Sequence, residues 1–441
     1  MTGIRIPKRI STAVLNSLTA GVVPRVGREY ITVGRKKEID ALLHDINNIE
    51  EGGASFRFVV GKYGSGKSFL LQLIRNYAME KGFVVVDADL SPERRFVGNK
   101  GQGLATYKEL MQNMSTKTKS DGGALSLILE RWISGIQTLV VKEYSVSPED
   151  INFSKLVEDK ILDAVNEIEG MVNGFNFARV INLYWKAYNS GDDEKKSVVL
   201  RWLRGEYSTK SEAIRELGVN VIIGDDNWYE YLKLFSQFMV HAGYKGLIVI
   251  IDELVNLYKI PQSITRQSNY EKILTIFNDT MQGKAKNIGI ILGGTPQFVE
   301  DTRKGIFSYE ALKSRLEEGR FSNAGLRDMF SPIIRLETLT NEELFVLVQK
   351  LVEIHAMHYE YQTRIVQEDL MIFMQAEFGR MGTDEHITPR EVIRDFVEIL
   401  NILYQNTDVS IQSILGSGEF KFNKDTINDE KIHEEYAEFE L

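Results

Sequence analysis

Residues 61–68 read Gly-Lys-Tyr-Gly-Ser-Gly-Lys-Ser, and this octet limits the fold more than any other stretch of the chain. It is entered from Ser55–Val60 (SFRFVV) and left through Phe69–Lys81 (FLLQLIRNYAMEK). The first run is short and nearly all apolar, as in a buried strand, whereas the second carries apolar residues at helical spacing. A strand must therefore turn sharply through glycines into a helix. Gly61, Gly64 and Gly66 let the backbone bend with its N–H groups facing inward, and the helix adds the positive end of its dipole. The pattern Gly-x-x-x-x-Gly-Lys-Ser is the phosphate-cradling P-loop. Tyr63 and Ser65 complete the loop around the nucleotide, Lys67 is expected to reach the β- and γ-phosphates, and the Ser68 hydroxyl is expected to ligate Mg²⁺. A glycine-rich turn without a ligand is the plainer reading, and the agreement of strand, loop and helix argues against it.

Three more apolar runs, Phe83–Leu90, Gly246–Asp252 and Asn287–Gly293, and a shorter one, Pro332–Leu336, are rich in Val and Ile without alternation. Strands buried on both faces read this way, so an α/β fold with a five-stranded parallel sheet is expected. Residues 91–227 are too many for a connection and read mostly as helix, which predicts a helical insertion. Beyond Thr340 the chain reads as helices over Asn341–His358, Glu368–Arg380 and Pro389–Tyr404, a small C-terminal lid domain. The expected order is a basic N-terminal segment to residue 50, the core over 51–340, the lid over 341–408 and an acidic tail over 409–441.

The run GLIVIIDE ends in Asp252 and Glu253. An acid pair at the end of a buried strand is costly without a partner, and Mg²⁺ with water is the obvious one. Asp252 would hold the metal and Glu253 would polarise the attacking water, which favours hydrolysis over transfer to an acceptor. The pair could instead cap the helix that follows.

Composition closes off other chemistry. With no cysteine there is no disulfide scaffold, thiolate zinc site, iron–sulfur cluster or Cys nucleophile. No run approaches the ~20 apolar residues of a membrane span, and no signal peptide is evident, so a soluble cytoplasmic protein is expected. The net charge of −9 argues against a basic coat. Yet Arg5, Lys8, Arg9, Arg25, Arg28, Arg35, Lys36 and Lys37 precede residue 38 against the one acid Glu29, while the C-terminal end is acidic. These are either solvated termini or, respectively, an arm for weak nonspecific contact with DNA phosphates and a tail for a partner. His355 and His358 form a His-x-x-His pair without an acid constellation, which disfavours zinc.

These motifs resemble those of the AAA+ ATPases, especially the origin-recognition branch. The resemblance implies that Val33-Gly34-Arg35-Lys36-Lys37-Glu38 is the adenine-side segment, with Gly34 and Arg35 beside the nucleotide. It implies that Thr295 is the sensor-1 residue and that Arg390, in Thr388-Pro389-Arg390-Glu391, is sensor 2. Arg315 or Arg320, in ALKSRLEEGRF, would be the arginine finger that completes a neighbouring subunit's site. More narrowly, GKYGSGKSFLLQLI, RWLRGE, GLIVIIDELVNLY, LGGTPQFVED and SYEALKSRL resemble the ATP-binding proteins of BREX phage-defence islands, the BrxD-like group. That resemblance implies an ATPase of antiviral defence, working as a homo-oligomer or with other island proteins. Too little chain follows the sensor-2 helix for a winged-helix DNA reader. A STAND-type signalling switch with slow turnover and no DNA role stays open beside it. Such switches usually carry a repeat array or effector domain, and neither is seen here. A P-loop kinase lacks its acceptor pattern.

Overall fold

The computed structural model describes residues 6–317, 327–379 and 388–416. The chain divides into two units, Gly34–Thr338 and a second made of Met1–Val33 with Leu339–Leu441.

The first unit is α/β. Strands β1 (Ala54–Gly61), β2 (Val84–Asp89), β3 (Leu247–Asp252), β4 (Ile288–Gly294) and β5 (Ile333–Leu336) lie where the apolar runs predict them. They pair in the order β2-β3-β4-β1-β5, and every pairing is parallel. The runs lack alternation because both faces are covered. Leu247, Val249 and Ile251 of β3 join Phe56, Phe58, Val84, Val86 and Ile290 on one face. Ile248 and Ile250 join Val59, Val85 and Ile291 on the other, under Leu42 and Ile46 of helix Lys36–Glu50 and Leu70 and Ile74 of helix Lys67–Glu80.

Between β2 and β3 the chain is mostly helical, as the sequence indicates, with long helices at Leu125–Tyr144, Phe153–Glu169, Gly174–Ser190 and Trp228–His241. Their buried side chains, Trp132, Ile161, Phe177 and Phe238 among them, continue the cluster on the first sheet face. Phe177 meets Phe235 and Phe238 edge-on, and Trp132 meets Phe238 in the same way. Phe175 is not part of this core. It lies in the first turn of its helix, two residues before the buried Phe177, and is 59% exposed.

The second unit is helical. Helix Lys8–Thr19 packs against helices Asn341–His358 and Pro389–Gln405. Its buried Val14, Leu15 and Leu18 recur at helical spacing, a short apolar stripe. The basic N-terminal stretch is thus folded where it is described. Lys8 reaches Glu360 at 3.4 Å, and Arg28 is 2% exposed. Capping boxes start two of the helices, Thr340 with Glu343 and Thr388 with Glu391. Arg5, Arg320 and residues 417–441 lie outside the described residues.

Candidate nucleotide site

Ligands of open parallel sheets bind beyond the carboxyl ends of the strands. Here β1 runs into the glycine loop and β3 into the acid pair, at the same edge. Gly64 and Gly66 have φ of 78° and 84°, in the left-handed region that a side chain resists. Helix Lys67–Glu80 starts at Gly66 with no side-chain cap and no acid in its first turn, so nothing from its own sequence competes with an anion there. Gly61 is required for a different reason. A Cβ on it would lie 2.2 Å from the Oγ of Ser65, a buried hydroxyl without a hydrogen-bond partner among the described residues.

The loop and the acid pair meet directly. Lys67 Nζ donates to Asp252 Oδ1 at 2.7 Å, and Ser68 Oγ donates to Asp252 Oδ2 at 2.9 Å. Lys67 and Asp252 side chains are only 12% and 9% exposed. The ammonium therefore occupies the cationic position beside a desolvated carboxylate. Gly293 of the neighbouring β4 makes the space, since a Cβ there would lie 2.2 Å from Asp252 Oδ1. Glu253, one residue on, is exposed and has φ of 59°. For a side-chain-bearing residue this conformation costs about 1–3 kcal/mol and has to be held by its surroundings. Asp89 pairs in register with Asp252. Asp89 as a residue is exposed, yet the protein around its carboxyl pushes the pKa up to about 6, helped by the charges of Asp252, Glu253 and Asp87 and opposed by Arg94.

The donor chemistry fits Mg²⁺ with a phosphate chain. Ser68 and Asp252 offer hard oxygens, and Mg²⁺ takes few protein ligands, filling its shell with phosphate and water. Among the described residues no three His, Cys, Asp or Glu side chains gather into a metal cage of their own.

The family of BREX system ATP-binding proteins, BrxC/D, matches residues 6–419. The chain belongs to this family. No curated protein matches it. In this BREX chain, among the described residues, no helix is long and apolar enough to cross a membrane.

The remaining sequence candidates are distributed as follows. Gly34, with φ of 71°, and Arg35 lie in the α/β unit. Arg35 is 7% exposed and faces the protein. Its Nη2 donates to the Ser65 carbonyl at 2.8 Å and the Glu337 carbonyl at 2.6 Å, and Nη1 lies 3.6 Å from Glu38. Tyr63 is 69% exposed. Thr295 follows β4 and caps the short helix Pro296–Glu300, accepting from the Phe298 N–H at 3.3 Å. Arg315 is exposed on helix Glu310–Leu316, donating to Ala311 O at 2.6 Å and Asn278 Oδ1 at 3.2 Å. Arg390 is exposed in the first turn of helix Pro389–Gln405, in the helical unit. His355 is fully buried, with Nδ1 2.9 Å from Tyr361 Oη and Nε2 3.2 Å from Asn401 Oδ1, while His358 Nδ1 is 2.8 Å from Ser11 Oγ. Gly293 and Asp89 lie beside Asp252 without having stood out in the sequence. The paired glycines ahead of Thr295 were the one available signal.

Proposed function

We propose that the chain is a Mg²⁺-dependent ATPase of the AAA+ class that couples ATP binding and hydrolysis to conformational change within a BREX phage-defence assembly. The observation that carries this reading is the convergence of Lys67 and Ser68 on Asp252, with Glu253 exposed at the next position. The glycine loop and the uncapped helix start bind the phosphate chain through main-chain N–H groups. Lys67 neutralises the β- and γ-phosphates. Ser68 and Asp252 hold the cation, and bound Mg²⁺ supplies the charge that draws electron density from the phosphate oxygens. Glu253 orients water and takes its proton. Thr295 contributes a hydroxyl from the end of β4, Arg390 takes the sensor-2 role, and Arg315 serves a neighbouring copy or a homologous ATPase.

Phosphate release and binding of a fluorescent ATP analogue test the assignment, each with and without EDTA. Lys67→Ala is expected to weaken binding. Glu253→Gln is expected to keep the nucleotide while turnover all but disappears, because metal ligation rests with Asp252. Wild-type hydrolysis by Glu253→Gln would remove Glu253 from the role.

A further inference from the structure

The strained turn at Glu253 is fixed from three sides. Its N–H donates to Asp252 Oδ1 at 2.8 Å. The next N–H, of Leu254, donates to the Gly293 carbonyl of β4 at 3.1 Å. Its carbonyl accepts from the main-chain N–H of Asn256 at 3.0 Å and from Asn256 Nδ2 at 3.3 Å. That same Nδ2 donates to the carbonyl of Leu90 at 2.8 Å, where the chain leaves β2. The N–H of Leu90 in turn donates to the Asp252 carbonyl at 3.0 Å. One side-chain amide thus ties the exit of β2 to the turn that carries Glu253.

The residue type suits the task. Both acceptors are carbonyl oxygens, so the group between them must be a donor. It must also be uncharged or positive, because Asp89, Asp252 and Glu253 already crowd this end of the sheet with negative charge. An amide meets both demands, and a carboxylate of the same shape meets neither. Lys67 and Ser68 reach Asp252 without help from Asn256.

We infer that Asn256 is a positioning residue for hydrolysis: it holds the Glu253 main chain in its left-handed turn and so aims the carboxylate, without taking part in nucleotide binding. The inference rests on Glu253 being the hydrolytic carboxylate. Misplacing a catalytic group by about 1 Å costs on the order of 10²-fold in rate, and the turn has no other side-chain brace at its carbonyl among the described hydrogen bonds.

The test is a double-mutant cycle on the full chain, with Asn256→Asp as the isosteric variant and Asn256→Ala as the second. Turnover, affinity for a fluorescent ATP analogue with Mg²⁺, and melting temperature are read for each. Both variants are expected to lose turnover by ~10- to 100-fold, with analogue affinity unchanged. In the Glu253→Gln background, where nothing remains to be aimed, neither is expected to lower the residual turnover further. An equal fold-loss in both backgrounds, or a loss of affinity that accounts for the lost turnover, would mark Asn256 as a structural brace and overturn the inference. So would wild-type turnover in Asn256→Asp, which packs like asparagine and guards against a folding failure in Asn256→Ala. Failure of the underlying reading looks different, because Glu253→Gln by itself would then hydrolyse ATP normally.

Discussion

Arg35 shows how a residue type can be right and its setting open. The resemblance to the AAA+ ATPases implied a group beside the nucleotide. In the structure the guanidinium lies beneath the loop, with both Nη2 hydrogens on main-chain carbonyls and Glu38 returning one turn later as its counter-charge. One of those carbonyls belongs to Ser65, within the glycine loop, and the other to Glu337, just past β5. A planar fork spans two such acceptors, while a lysine offers a point charge on a flexible stem. Arg35→Lys is therefore expected to cost roughly 1–3 kcal/mol in urea unfolding and to weaken binding of a fluorescent ATP analogue. Unchanged values on both counts would make the contact with Ser65 incidental. Gly293 teaches the complementary lesson. Beyond the glycine pair ahead of Thr295, one sequence does not mark it as part of the site, because its contribution is the absence of a side chain opposite Asp252.

At the scale of elements, the strands were legible because burial on both faces leaves an unbroken apolar run. Helix Lys8–Thr19 was not, since its apolar stripe is short and Ser11, Thr12, Asn16 and Ser17 interrupt it. The helix Asn341–His358 carries a buried histidine whose chemistry can be followed by pH. Burial lowers the His355 pKa below its ordinary value, His358 pushes the same way, and the hydrogen bond with Asn401 pushes back. The folded unit therefore holds His355 neutral more firmly than the unfolded chain does. Stability is complete above the unfolded value of about 6.5 and is lost as pH falls, because the unfolded chain takes up the proton first. The melting temperature of the wild type is expected to drop from pH 7.5 to 5.5, and that of His355→Asn to drop less. Equal slopes would place the titration elsewhere, His358 being the nearest group with a lowered pKa.

For the whole molecule, the open matter is whether one chain completes its own site. Arg315 is exposed, and its described bonds run to its own helix and to Asn278. An arginine acting in trans is worth on the order of 10³–10⁵ in rate in phosphoryl transfer. Arg315→Ala is expected to lose turnover while keeping ATP affinity. Mixed with Lys67→Ala, it is expected to regain part of the activity, because a mixed interface can pair an intact loop with an intact arginine. No recovery at any ratio, with a monomeric ATP-bound state by light scattering, would leave Arg315 a surface charge and favour a nucleotide switch that works alone.

The sequence by itself determined the pieces whose chemistry is local. Glycines at set spacing force the loop, Lys67 and Ser68 follow it in register, and a run of buried β-branched residues delivers Asp252 and Glu253 to a strand end. Tertiary structure decided what depends on elements far apart in the chain. Asp252 meets Lys67 across 185 residues, Asn256 reaches Leu90 across 166, and Arg35 reaches Glu337 across 302. Hydrophobic periodicity tells each element which face to bury. Which polar atoms then face one another is fixed only when the sheet order is set and each buried donor must find an acceptor.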